Sequence, residues 1–157
     1  MRRLVTALLL IGAVAACGRE PAFPDRTARV TVGDRTTTYT VDACGLDGQT
    51  FRLAARAESG AILQAAVGVE ADGETGVPES TGLTVYGGDE GDLAAFGAEA
   101  WARRGEDGDA PGAITSARIR GARIQASGEA AVVDADDVPT GDQLLAVSLD
   151  ARCDAED

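Results

Sequence analysis

From Ala28 onward, apolar and polar residues alternate with a period of two, the signature of half-buried strands. Val30 and Val32 alternate with Arg29 and Thr31, Gly33-Asp34 supplies a turn, and Thr36 to Val41 is β-branched and aromatic, a pattern that predicts a hairpin. Beyond the Gly45-Leu46-Asp47-Gly48 turn, Phe51, Leu53, Ala55 and Ala57 share one strand face, with Arg52, Arg56 and Glu58 on the other. Ser59-Gly60 turns the chain into a strand that groups Leu63, Ala65, Val67 and Val69. Residues 71–82 read as a loop, Leu83 to Tyr86 as a short strand, and Gly87 to Asp92 as an acidic loop. Weaker strands follow at Ala113 to Ile119, Arg123 to Ser127 and Glu129 to Val133. The final strand is the clearest, with Leu145, Val147, Leu149, Ala151 and Cys153 on one face and Ser148, Asp150 and Arg152 on the other. Leu93 to Arg104 is alanine-rich with helix-like spacings but is interrupted by Gly97, so it fits a strand or a short helix. Turns at intervals of about ten residues predict a single antiparallel β-sandwich or open barrel of about seven to eight short strands, with one short helix admitted near residues 93–104.

The alternation fails at the N-terminus. Arg2 and Arg3 precede an apolar run from Leu4 to Ala13 that is too short to cross a hydrocarbon core of about 30 Å. The small residues of Val14-Ala15-Ala16 stand directly before Cys17, the pattern of a bacterial lipobox, in which the cysteine is acylated and becomes the mature N-terminus. An ordinary signal peptide or an uncleaved anchor explains these residues less completely. The expected organisation is a lipoprotein signal peptide at 1–16, a lipidated tether at 17–27 containing Pro21 and Pro24, and a β domain at 28–157. Lipid on Cys17 would hold the domain on the extracytoplasmic face of the cell membrane.

Once Cys17 is set aside, Cys44 and Cys153 remain, an even pair in an oxidising compartment that predicts a disulfide rather than two reactive thiols. It would close a loop of 109 residues (153 − 44), worth about 4–5 kcal/mol in the loop-entropy account. Cys153 points inward on its strand. Cys44 is out of phase with Val41 and Ala43, so the bond requires a bulge or early turn near Asp42.

Charge and composition narrow the functional classes. The chain has 14 basic and 26 acidic residues, and loss of Arg2 and Arg3 with the signal peptide shifts the net charge from −12 to −14. Such a surface is expected to repel nucleic acid and anionic lipid headgroups, which makes both poor partners. The chain contains no lysine, asparagine or histidine. Arginine in place of lysine, with abundant alanine and glycine, points to a high-GC genome such as that of an actinobacterium. Without histidine, neither a Ser-His-Asp or Cys-His nucleophile nor a histidine-ligated zinc site can be built.

Three acidic clusters are candidate cation ligands: Asp89-Glu90-Asp92, Glu106-Asp107-Asp109 and Asp134-Asp136-Asp137. None has EF-hand spacing, and they read first as solvated loop acids, with the last the best of the three for calcium. No metal or cofactor is expected. Trp101, the single tryptophan, reads as a core or rim residue. Arg118, Arg120 and Arg123 form a local basic stripe that reads as cross-strand pairing with acids or, more sharply, as an anionic-ligand contact.

Taken together, the lipobox, the polar tether, the Val-Thr-Val-Gly-Asp hairpin leading to Cys44, the glycine-rich run after it, a late strand around Ile119-Arg120-Gly121-Ala122 and the terminal strand ending in Cys153 resemble the LpqH-type lipoprotein antigens of mycobacteria and their relatives. The resemblance covers nearly the whole mature chain at the level of architecture and cysteine placement, and residues 71–112 depart from it. It implies a surface-exposed, non-catalytic β domain with interaction roles, and it assigns no catalytic residue. The expected function is therefore a non-enzymatic, membrane-anchored lipoprotein that binds an envelope component or another protein. The alternatives are a carrier or sensor of a lipid or other apolar small molecule and, less well supported, a hydrolase using carboxylates alone. Nucleic acid is not an expected partner.

Overall fold

A computed structural model describes residues 23–105 and 108–153. The signal peptide, Cys17 and the pair Glu106-Asp107 lie outside the described residues. The chain is mainly β. Its elements in order are β1 (Thr27–Val32), β2 (Arg35–Asp47), β3 (Thr50–Ala57), β4 (Ile62–Val69), β5 (Gly76–Gly88), β6 (Gly91–Phe96), α1 (Ala98–Arg103), β7 (Ala113–Arg120), β8 (Arg123–Val133) and β9 (Pro139–Arg152).

All nine strands belong to one antiparallel sheet in the order β6-β5-β4-β3-β2-β1-β9-β8-β7, and a further β6–β8 pairing bonds it into a ring. The barrel alternative of the fold expectation is thus the one realised, with nine strands. Eight positions make up the ring, because β6 and β7 share one edge of β8: β7 pairs with its first half and β6 with Ala131 to Val133, while β9 runs along the opposite edge. The first hairpin closes at Gly33-Asp34, where Val32 pairs with Arg35. β1 is zipped between β2 and β9, which brings the two ends of the domain together.

An eight-position ring has an interior just wide enough for side chains to fill. Here it is filled from every strand, with Leu63, Leu83, Leu93, Ile124 and Leu149 fully buried. A second group of buried side chains, including Val67, Ile119 and Ile124, plugs the end of the barrel that carries Cys44 and Cys153. A third, satellite cluster lies outside the ring, where Ala100 and Trp101 of α1 cover Ala94, Phe96, Ala131 and Val133 on the outer faces of β6 and β8. The segment 93–104, open between strand and helix in the sequence, contains both.

The expected irregularity at Asp42 is present. Val41 opposes Ala55 but Ala43 opposes Ala54, so β2 carries one extra residue. That bulge inverts the phase of the strand: Ala43 turns outward, and Cys44 comes opposite Leu53, whose side chain faces the interior. Cys44 and Cys153 are bonded partners with Cα atoms 5.8 Å apart, inside the range a disulfide spans.

Candidate functional site

A groove of about 830 Å³ lies on the outside of the barrel, across β3, β4 and β5. Its floor is made by outward positions of the alternation, notably Ala54, Gln64, Ala66 and Gly82. One wall is Leu46, Asp47 and Arg52, from the long β2–β3 hairpin. The other is Phe96, Ala100, Arg103 and Arg104 at the end of β6 and along α1.

Close backbone approaches build the second wall. A Cβ at Gly82 would stand 2.2 Å from Cδ1 of Phe96, so glycine lets that ring lie across β5. A Cβ at Gly97 would meet the Pro78 carbonyl oxygen at 2.2 Å, so glycine also lets the start of α1 sit on the β5 backbone. The six-residue helix has Glu99 in its first turn and Arg103 in its last, each favourably placed against the helix dipole. Arg103 donates to the Ser80 carbonyl at 2.9 Å, which ties α1 to β5.

Arg104 fixes the far end of this wall. Its Nη2 lies 2.5 Å from Oδ2 of Asp137, and the Tyr86 hydroxyl donates to Oδ1 of the same carboxylate at 3.1 Å. The guanidinium also stacks over Phe96 at 5.0 Å and Trp101 at 5.8 Å. Asp137 has a side chain only 6% exposed, and a carboxylate so buried needs a charged, hydrogen-bonded partner. The node therefore joins β5, α1 and the β8–β9 turn. Each arginine of the groove faces a carboxylate, Arg52 with Asp47 at 3.3 Å, Arg103 with Glu99 at 3.9 Å and Arg104 with Asp137, so the walls are balanced in charge.

Among the described residues the acidic clusters do not converge. Glu90 pairs with Arg35 at 2.9 Å, and Asp92 accepts the Gly87 N–H at 2.7 Å. Asp134 accepts the N–H groups of Asp136 and Val138, each at 3.0 Å, within its own turn. Among the described residues no group of three or more carboxylate or thiol side chains is placed to hold a metal ion. Trp101 packs with Phe96 at a centroid distance of 5.3 Å and is a buried member of the satellite core.

The basic stripe divides. Arg123 grips Asp150 with two contacts, 2.6 and 2.8 Å, as cross-strand pairing predicts. Arg118 and Arg120 have no ion-pair partner among the described residues. Sequence reasoning missed the groove and the Arg104–Asp137–Tyr86 node. Alanines at outward strand positions were a weak signal for the first, and nothing local relates residues 86, 104 and 137. Among the described residues no helix is long and apolar enough to cross a membrane. No family model and no curated protein matches this chain.

Proposed function

We propose that the chain is a non-enzymatic surface lipoprotein, acylated at Cys17, whose barrel is a filled scaffold and whose outer groove binds an envelope component or another protein. The observation that carries this reading is the placement of the open, concave surface on the outside of a ring whose interior is occupied by its own side chains. The lipobox supplies the location, and the resemblance to LpqH-type antigens agrees with an interaction role. The groove also supports the second reading, a carrier. Its floor of Ala54, Ala66 and Gly82 between walls of paired charges suits a small amphiphile.

Two measurements test the parts separately. Cys17→Ser should move the protein from the membrane to the soluble or secreted fraction, and a variant that stays membrane-bound overturns the anchor. A photo-crosslinking residue at Ala54 should give one discrete adduct in intact cells, and Ala66→Trp, which fills the floor, should abolish it. An adduct indifferent to Ala66→Trp excludes the groove as the binding site. Native mass spectrometry of the purified protein separates a small amphiphile from a protein partner by mass.

A further inference from the structure

Charge is not spread evenly over this barrel. The turns at one end, β1–β2, β3–β4, β5–β6 and β8–β9, carry Asp34, Glu58, Asp89, Glu90, Asp134 and Asp136, which outnumber the arginines close by among the described residues, Arg35, Arg56 and Arg104. At the other end, the outer wall over β7, β8, β9 and β1 is basic. Arg118 and Arg120 alternate with buried Ala117 and Ile119, and Arg29 alternates with buried Ala28 and Val30. The pairing register aligns these residues across the strands. Arg120 opposes Arg123, and Arg123 opposes Arg152. Among the described residues Arg26, Arg29, Arg118, Arg120, Arg123 and Arg152 occupy this wall; Asp25 and Asp150 are each held by one of them, and Asp42, beside Arg26, pairs with Arg56. The β4–β5 loop bounds the wall with Glu70, Asp72 and Glu74, and Asp72 is engaged by its own loop, accepting N–H groups from Glu74 and Thr75.

The tether enters the domain on this same wall. The Phe23 ring is sandwiched between Arg29 at 4.9 Å and Arg123 at 5.1 Å, and its carbonyl accepts from Arg152 at 3.3 Å. Five residues lie between Cys17 and Phe23, six Cα–Cα steps with a reach of at most about 21 Å when fully extended. We propose that the basic wall around Phe23 is a membrane-contact surface that lays the tether end of the barrel against anionic lipid headgroups. The proposal rests on acylation of Cys17, which would confine the wall to within that reach of the bilayer. The acids of the far end do not oppose it. Along β8, Arg123 and Asp134 are separated by roughly 36 Å of strand, more than three Debye lengths at about 0.1 M salt, so the acids of the far end are screened from the headgroups. The domain would stand with its acidic end away from the membrane.

The test uses the mature chain carrying Cys17→Ser, so that no acyl chain contributes, sedimented with vesicles. It should associate with vesicles containing about 30% phosphatidylglycerol, not with pure phosphatidylcholine, and 0.5 M NaCl should abolish the association. An arginine near an anionic surface is worth about fivefold in partitioning, so Arg118→Gln with Arg120→Gln should weaken it about 25-fold. Both side chains are exposed, and an unchanged thermal melt verifies that the variant is folded. Should it not fold, Arg120→Gln alone, with a fivefold expectation, replaces it. Equal association with both vesicle types, no association, an unaffected variant, or binding to a soluble polyanion such as heparin without binding to vesicles would each overturn the proposal. The mass of the Cys17 peptide from native membranes reports acylation independently, so loss of the anchor reading and loss of this one are distinguishable.

Discussion

The Asp137 carboxylate illustrates how one residue can hold distant segments together. It is almost fully buried, and its oxygens are taken by Arg104 and Tyr86, which lie 33 and 51 residues away in sequence. Removing Arg104 strands a buried charge, which typically costs 3–5 kcal/mol. Because Arg104 itself is 40% exposed, water can replace part of the lost interaction. Arg104→Ala is therefore expected to destabilise the domain by about 2–3 kcal/mol, read from urea midpoints, while Tyr86→Phe should cost about 1 kcal/mol. A second residue makes stability depend on alkaline pH. Burial of Tyr39 pushes its phenol above the ordinary 10.0, with a smaller contribution from the Asp89 charge. The folded state then holds the proton more tightly than the unfolded state. Stability should be full below about pH 10 and fall as pH rises through the folded pKa. Melting temperatures measured from pH 8 to 11 should show that decline, and Tyr39→Phe should flatten it.

At the scale of elements, the groove depends on where side chains are missing as much as on where they are present. Gly82→Ala would place a methyl group within the Phe96 ring, forcing the ring off β5 and loosening the α1 wall. A loss of about 1–3 kcal/mol is expected, together with a change in near-ultraviolet circular dichroism from the neighbouring Trp101. The same closeness explains which strands could be read from sequence. β3, β4 and the end of β9 have one buried face and one solvated face, so their alternation survives. The first half of β5 has neither pattern, because Pro78 interrupts it and its backbone runs against β7 and α1. A Cβ at Gly76 would meet the Ala117 carbonyl at 2.5 Å. Residues 76–82 therefore resemble a loop while forming a strand. Gly128 misleads in the same way: it looks like a break between two strands, yet it lies within β8 where β7 presses closest, 1.9 Å from a built Cβ to the Ala113 oxygen. The bulge at Asp42 was legible for the opposite reason, since two fixed points, inward Val41 and a cysteine that must also reach inward, left no even spacing between them.

For the whole molecule, closure of the ring and the Cys44–Cys153 bond act on the same weakness, the long separation between elements that must meet. β1 and β9 pair across nearly the full length of the domain, and the disulfide fastens the end of that seam. Cys153→Ser should cost about 2–5 kcal/mol, and the parent protein under reducing conditions should unfold at the same urea midpoint as the variant. A reduced parent that matches the oxidised one would show that the bond contributes nothing. The position of β1 has a mechanical consequence. Any tension arriving through the tether acts along β1, which is bonded on both sides by six-residue ladders to β2 and β9. Antiparallel hydrogen bonds lie perpendicular to such a pull, so both ladders are loaded in shear, all rungs at once, and cannot be peeled open one rung at a time. The strand nearest the tether is thus held in the geometry that best resists being drawn out.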